Sequence, residues 1–120
     1  MKNLLILLLI LILSSNAAKT DKIVGIWLNE EKSRAIKIYK MKNEYVGIMH
    51  WIGKPDPELK EGKIILKELV ETNGKYKNGR AFVQKYGWIK CEAEVKDNIL
   101  YITGSKLGIK RVRKFTVWKE

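Results

Sequence analysis

Between Trp88 and Val95 the chain reads Trp-Ile-Lys-Cys-Glu-Ala-Glu-Val, so that Ile89, Cys91, Ala93 and Val95 alternate strictly with Lys90, Glu92 and Glu94. A repeat of two places the apolar side chains of an extended strand on one face and the charges on the other. A helix cannot satisfy that pattern. The same period governs Ala35 to Lys40, where Ile36, Ile38 and Lys40 share one face and Lys37 and Tyr39 the other. From Glu44 to Ile52 it sets Tyr45, Gly47, Met49 and Trp51 against Val46, Ile48 and His50, and both faces carry large apolar groups.

Turn-forming residues cut the chain between such segments: Asn29 to Ser33, Lys42-Asn43, Asn73-Gly74, Asn78-Gly79, Asp97-Asn98 and Gly104-Ser105. The longest break runs from Ile52 to Gly62 and contains both prolines and two glycines, a composition that stops regular structure. Strands are predicted over 22–28, 34–41, 44–52, 63–72, 81–85, 88–95, 99–103 and 109–119. About eight short strands without helical periodicity predict an all-β fold, a small antiparallel barrel or sandwich. A closed meander barrel is the more economical choice, because it removes exposed strand edges.

The first residues are different in kind. Lys2 precedes ten consecutive apolar residues, Leu4 to Leu13, and Ser15-Asn16-Ala17 follows them. That is the layout of a cleaved signal peptide over 1–17. The apolar run rises only about 15 Å as a helix against a hydrocarbon core of roughly 30 Å, too short for a permanent transmembrane span. The expectation is a single β-barrel domain, 18–120, exported to the periplasm or exterior of a bacterium. Cys91 is the single cysteine and cannot form an internal disulfide; its alternation makes it a small core residue.

The formal net charge is +11, with lysine outnumbering arginine 20 to 4. Lysines solvating outer strand faces account for most of it. Lys106 to Lys114 still packs five cations into nine residues, enough to attract a polyanion. Export argues against a nucleic-acid partner and towards an anionic envelope surface, such as lipid headgroups, as the alternative partner.

Several pieces together resemble the small exported bacterial proteins of the domain of unknown function 2147 family. They are Ile23-Val24-Gly25-Ile26-Trp27, Ile36-Lys37-Ile38-Tyr39, Tyr45-Val46-Gly47-Ile48, Gly62 to Leu66, Gly79-Arg80-Ala81-Phe82 and Leu100-Tyr101-Ile102-Thr103-Gly104. Their order covers nearly all of the mature chain. The chain departs from the family pattern at Val83-Gln84, where an Asp-Pro is usual, and at Lys114-Phe115-Thr116 before Trp118. The resemblance implies a calycin-like, lipocalin-like barrel and no established chemistry. Gly25-x-Trp27 is also similar to the opening motif of lipocalins, in which a tryptophan closes one barrel end beneath a cation of the last strand. Arg111 or Arg113 would supply that cation here, at about 0.5 to 2 kcal/mol.

An eight-stranded barrel is just wide enough to be filled by side chains or to hold one small ligand. With roughly eight residues per strand, a shallow or filled barrel is expected rather than a deep cup. If a small apolar or amphipathic ligand binds, Tyr45, Trp51, Trp88 and Tyr101 are the candidate lining, and His50 or Arg113 would orient its polar end. Packing of those aromatics in core and rim is the competing reading. One histidine and one cysteine make no conventional metal cluster, so no metal or cofactor is expected. Glu92 and Glu94 are about 6.6 Å apart by backbone rise, near glycosidase spacing, but share their face with Lys90. The expected class is therefore a non-enzymatic ligand-binding or envelope accessory protein.

Overall fold

The computed structural model describes residues 22–54 and 56–119, and the expected signal peptide, 1–17, lies outside them. The strands are β1 (Gly25–Asn29), β2 (Arg34–Met41), β3 (Glu44–Ile52), β4 (Ile64–Thr72), β5 (Lys75–Val83), β6 (Gly87–Lys96), β7 (Ile99–Lys106) and β8 (Ile109–Val117). Each pairs antiparallel with the next, and β8 pairs with β1, closing a barrel in sequence order. The all-β meander barrel expected from the alternation is the fold. No helix among the described residues is long and apolar enough to cross a membrane.

One end of the barrel carries only tight turns. Asn73-Gly74 (φ 52° and 83°) and Asp97-Asn98 (φ 52° and 63°) put two successive residues in the left-handed region, which matches the right-handed twist of the strands they join. Asn78-Gly79 has the same chemistry but makes no turn. β5 runs straight through it, with Asn78 at φ 61° as the extra residue of a bulge between the Tyr76–Ala93 and Gly79–Cys91 pairs. The fifth strand therefore starts at Lys75 rather than Ala81. Gly104-Ser105 likewise continues β7 instead of ending it.

Inside, the turn end is filled. Tyr45 and Tyr76 meet edge to face at 5.0 Å, and Leu69 and Leu100 have no exposed surface. Three inward glycines make room for larger neighbours. A Cβ on Gly79 would stand 2.7 Å from Leu69 Cγ and 3.0 Å from Cys91 Sγ; one on Gly47 would stand 2.9 Å from Leu66 Cβ. One on Gly104 would stand 2.8 Å from Ile89 Cδ1. Each fully buried Leu or Ile here stabilises the barrel by about 1.5–3 kcal/mol.

Closure is partial at the opposite, loop end. β1 stops at Asn29, and its ladder with β8 consists of Trp27–Val117, Leu28–Thr116 and Asn29–Phe115. The stretch of β8 from Ile109 to Lys114 extends past that ladder. Its outer edge is left beside the β1–β2 loop rather than beside a strand, and its arginines and lysines blunt that edge against strand addition.

Candidate functional site

The β3–β4 loop folds over the loop end. Asp56 ties it down: Oδ1 accepts from the backbone N–H of Glu58 at 2.8 Å and of Leu59 at 3.3 Å, and Oδ2 accepts from Gln84 Nε2 after β5. Arg34 Nη2 on β2 lies 3.7 Å from the same oxygen. Gly53 N donates to Ser33 O at 2.7 Å, fixing the other side of the loop. The loop thereby lowers Leu59 into the core, 4% exposed. Donation by the Glu58 amide, more than the Gln84 amide or the Arg34 charge, holds the Asp56 carboxyl below its ordinary value, against a smaller opposing effect of burial.

Beneath this strap a cavity of about 440 Å³ opens towards the β1–β8 seam. Its floor is Ile36, Met49, Leu66 and Ile102, with Phe115 on the β8 wall. Asn29, Arg34 and Gln84 form the rim, and the exposed Glu30 and Glu31 form the outer lip of the β1–β2 loop. Asn29 shapes that lip, its Oδ1 accepting from Ser33 N at 2.9 Å and Arg34 N at 3.0 Å. Arg113 stands opposite Ile102 in the β7–β8 ladder and so shares the inner face with Phe115. Among the described residues no ion pair reaches it. A volume of this size, an apolar floor and a border carrying Arg34, Arg113 and Lys114 suit a small amphiphile.

The six residues expected from sequence to line a pocket are not gathered there. Tyr45 is buried in the filled half. His50 and Trp51 flank Trp118, at 6.1 Å and 5.3 Å between ring centroids, because a bulge leaves His50 without a partner between the Met49–Ile36 and Trp51–Ala35 pairs. Alternation along β8 puts Val117 on the face of Trp27, so Trp118 and this cluster lie outside the wall. Trp88 is also outside, edge-on to Phe82 at 5.7 Å and with Lys67 Nζ 4.2 Å from its ring centroid. Tyr101 faces out between buried Leu100 and Ile102, with Lys114 Nζ at 5.9 Å. Arg113 alone of the six borders the cavity.

The lipocalin-like closure is also differently made. Trp27 is buried next to Gly25, but its Nε1 donates to Ile23 O at 2.9 Å. Arg111 stands opposite Gly104 and Arg113 opposite Ile102, whereas Trp27 stands opposite Val117, four residues along β8 from Arg113 and six from Arg111. A guanidinium over the indole is excluded by that register.

A second depression, of about 350 Å³, lies on the outer face among Arg80, Lys90, Thr103, Ser105 and Lys110. No leucine, isoleucine, valine, methionine or aromatic side chain lines it. Glu94 is engaged by Lys96 at 3.0 Å and Lys75 at 3.8 Å. Cys91 is buried, its thiol pushed up to about 12 by desolvation and secondarily by Glu92, so no thiolate nucleophile forms near neutral pH. Among the described residues no three His, Cys, Asp or Glu side chains converge to hold a metal. Comparison with protein-family models, curated proteins and solved structures finds no match to this chain.

Proposed function

We propose that this protein is an exported, non-enzymatic carrier of a small anionic amphiphile, held with its apolar part on the floor of the loop-end cavity and its head group at Arg113. The observation that carries the reading is Arg113, exposed at the mouth of the cavity on the β8 face that holds Phe115, without an ion-pair partner among the described residues. A carboxylate or sulfate at the mouth of the cavity is matched there by the bidentate geometry of a guanidinium. The leader-like residues 1–17 support export, and the ordered motifs support kinship with the domain of unknown function 2147 family.

Native mass spectrometry of the protein purified gently from its own host tests this reading. A reproducible mass released on denaturation and recovered in an organic extract is expected. A bare polypeptide, unchanged after incubation with saturating host lipid, would overturn carriage.

A further inference from the structure

Two hairpin tips project side by side at the loop end. The β5–β6 tip exposes Tyr86 and the β7–β8 tip exposes Leu107 and Ile109, at 54%, 92% and 66% of their surfaces. Lys106 joins the tips, its Nζ donating to Tyr86 O at 3.5 Å and lying 4.8 Å from the Tyr86 ring centroid. Lys85, Lys110 and Arg111 surround them, and no acidic residue occurs from Asn98 to Lys119.

Leu107 is the one apolar side chain at positive φ among the described residues. It sits at φ 52° before Gly108 at φ 80°, the same two-residue turn that Asn73-Gly74 and Asp97-Asn98 make elsewhere in the barrel. Those turns use residues that tolerate the left-handed region; a leucine there costs backbone energy and, at this exposure, gains no burial within the barrel. A costly apolar residue that is also the most exposed of the large hydrophobic side chains marks a surface whose burial comes from elsewhere.

We infer that these two tips dock the barrel onto an anionic lipid bilayer, with Leu107 and Ile109 entering the interface, Tyr86 at headgroup level, and Lys85, Lys106, Lys110 and Arg111 on the phosphates. Tyr86, Leu107 and Ile109 line neither of the two depressions described above. Apolar side chains ringed by cations, with a tyrosine between them, match the depth profile of an interface. Docking stands independently of carriage, because none of its residues forms the cavity floor.

Vesicle co-sedimentation tests it with the full chain, so that residues 1–17, where present, are identical in every sample. The wild type is expected to bind phosphatidylcholine vesicles containing phosphatidylglycerol and to bind pure phosphatidylcholine poorly. The double variant Leu107→Ser/Ile109→Ser should lower partitioning at least about tenfold, and each of Lys85→Gln and Lys110→Gln about fivefold. All these positions are exposed, and an unchanged melting temperature verifies the fold of each variant. Equal partitioning of the double variant and the wild type, or equal binding to neutral and anionic vesicles, would overturn the inference.

Discussion

Arg113 and Ile102 are direct partners in the β7–β8 ladder, so Arg113, though exposed, stands on the same side of the barrel wall as a residue of its core. Replacing Arg113 with Gln should weaken dodecanoate binding about tenfold and leave dodecanol binding within about twofold, because only the former loses a charge-assisted pair. Isothermal titration of both ligands checks this. Equal losses for acid and alcohol would show that Arg113 does not recognise charge. Stability should change by less than about 0.5 kcal/mol, since the side chain is largely exposed.

Asp56 gives the strap over the cavity a pH dependence. Its folded carboxyl lies below the unfolded value of 3.8, with Glu58 N–H donation the largest cause. A depressed carboxyl contributes stability that is fully present above the unfolded value and is lost as pH falls through the folded one. The amide resonances of Glu58 and Leu59 should therefore shift together with a midpoint below 3.8, and Asp56→Asn should abolish that transition. A midpoint at or above the ordinary value would contradict the anchoring geometry.

Much of this fold is legible in the residues. Ile89 to Val95 and Ile36-Ile38 announce inward faces, and Asn73-Gly74 and Asp97-Asn98 announce turns. Asn78-Gly79 misleads because a bulge and a tight turn both need a left-handed residue, and local chemistry cannot separate them. Trp51 misleads for a related reason. The bulge at His50 reverses the alternation two residues before the strand ends, and no residue type marks it. Arg113 is readable as inward from its spacing to Phe115, once Phe115 is placed in the core. Leu59 is a single apolar residue in a proline-rich loop, and only its tether to Asp56 reveals that it caps the barrel.

The three inward glycines predict graded costs. Gly79→Ala should lower stability by about 1–3 kcal/mol, because the new methyl meets Leu69 and Cys91 in a packed core. Gly104→Ala meets only the terminal methyl of Ile89, which can rotate, and should cost less. Denaturant unfolding of both variants tests the ranking. The reverse order would mean that the turn end is less tightly filled than the packing requires.

Cys91 should resist Ellman's reagent in the native protein, because its thiol is buried and pushed up to about 12, and should react fully once guanidinium unfolds the chain. Rapid native labelling would reopen a nucleophilic role for this side chain.

The most direct measurement is a methyl-labelled NMR titration with dodecanoate. Saturable shifts are expected at Ile36, Met49, Leu59 and Ile102, around the loop-end cavity, with Leu69 and Leu100 in the filled half unmoved. Absence of saturable shifts at the first four, or shifts confined to residues around Trp118, would contradict a ligand site inside the barrel.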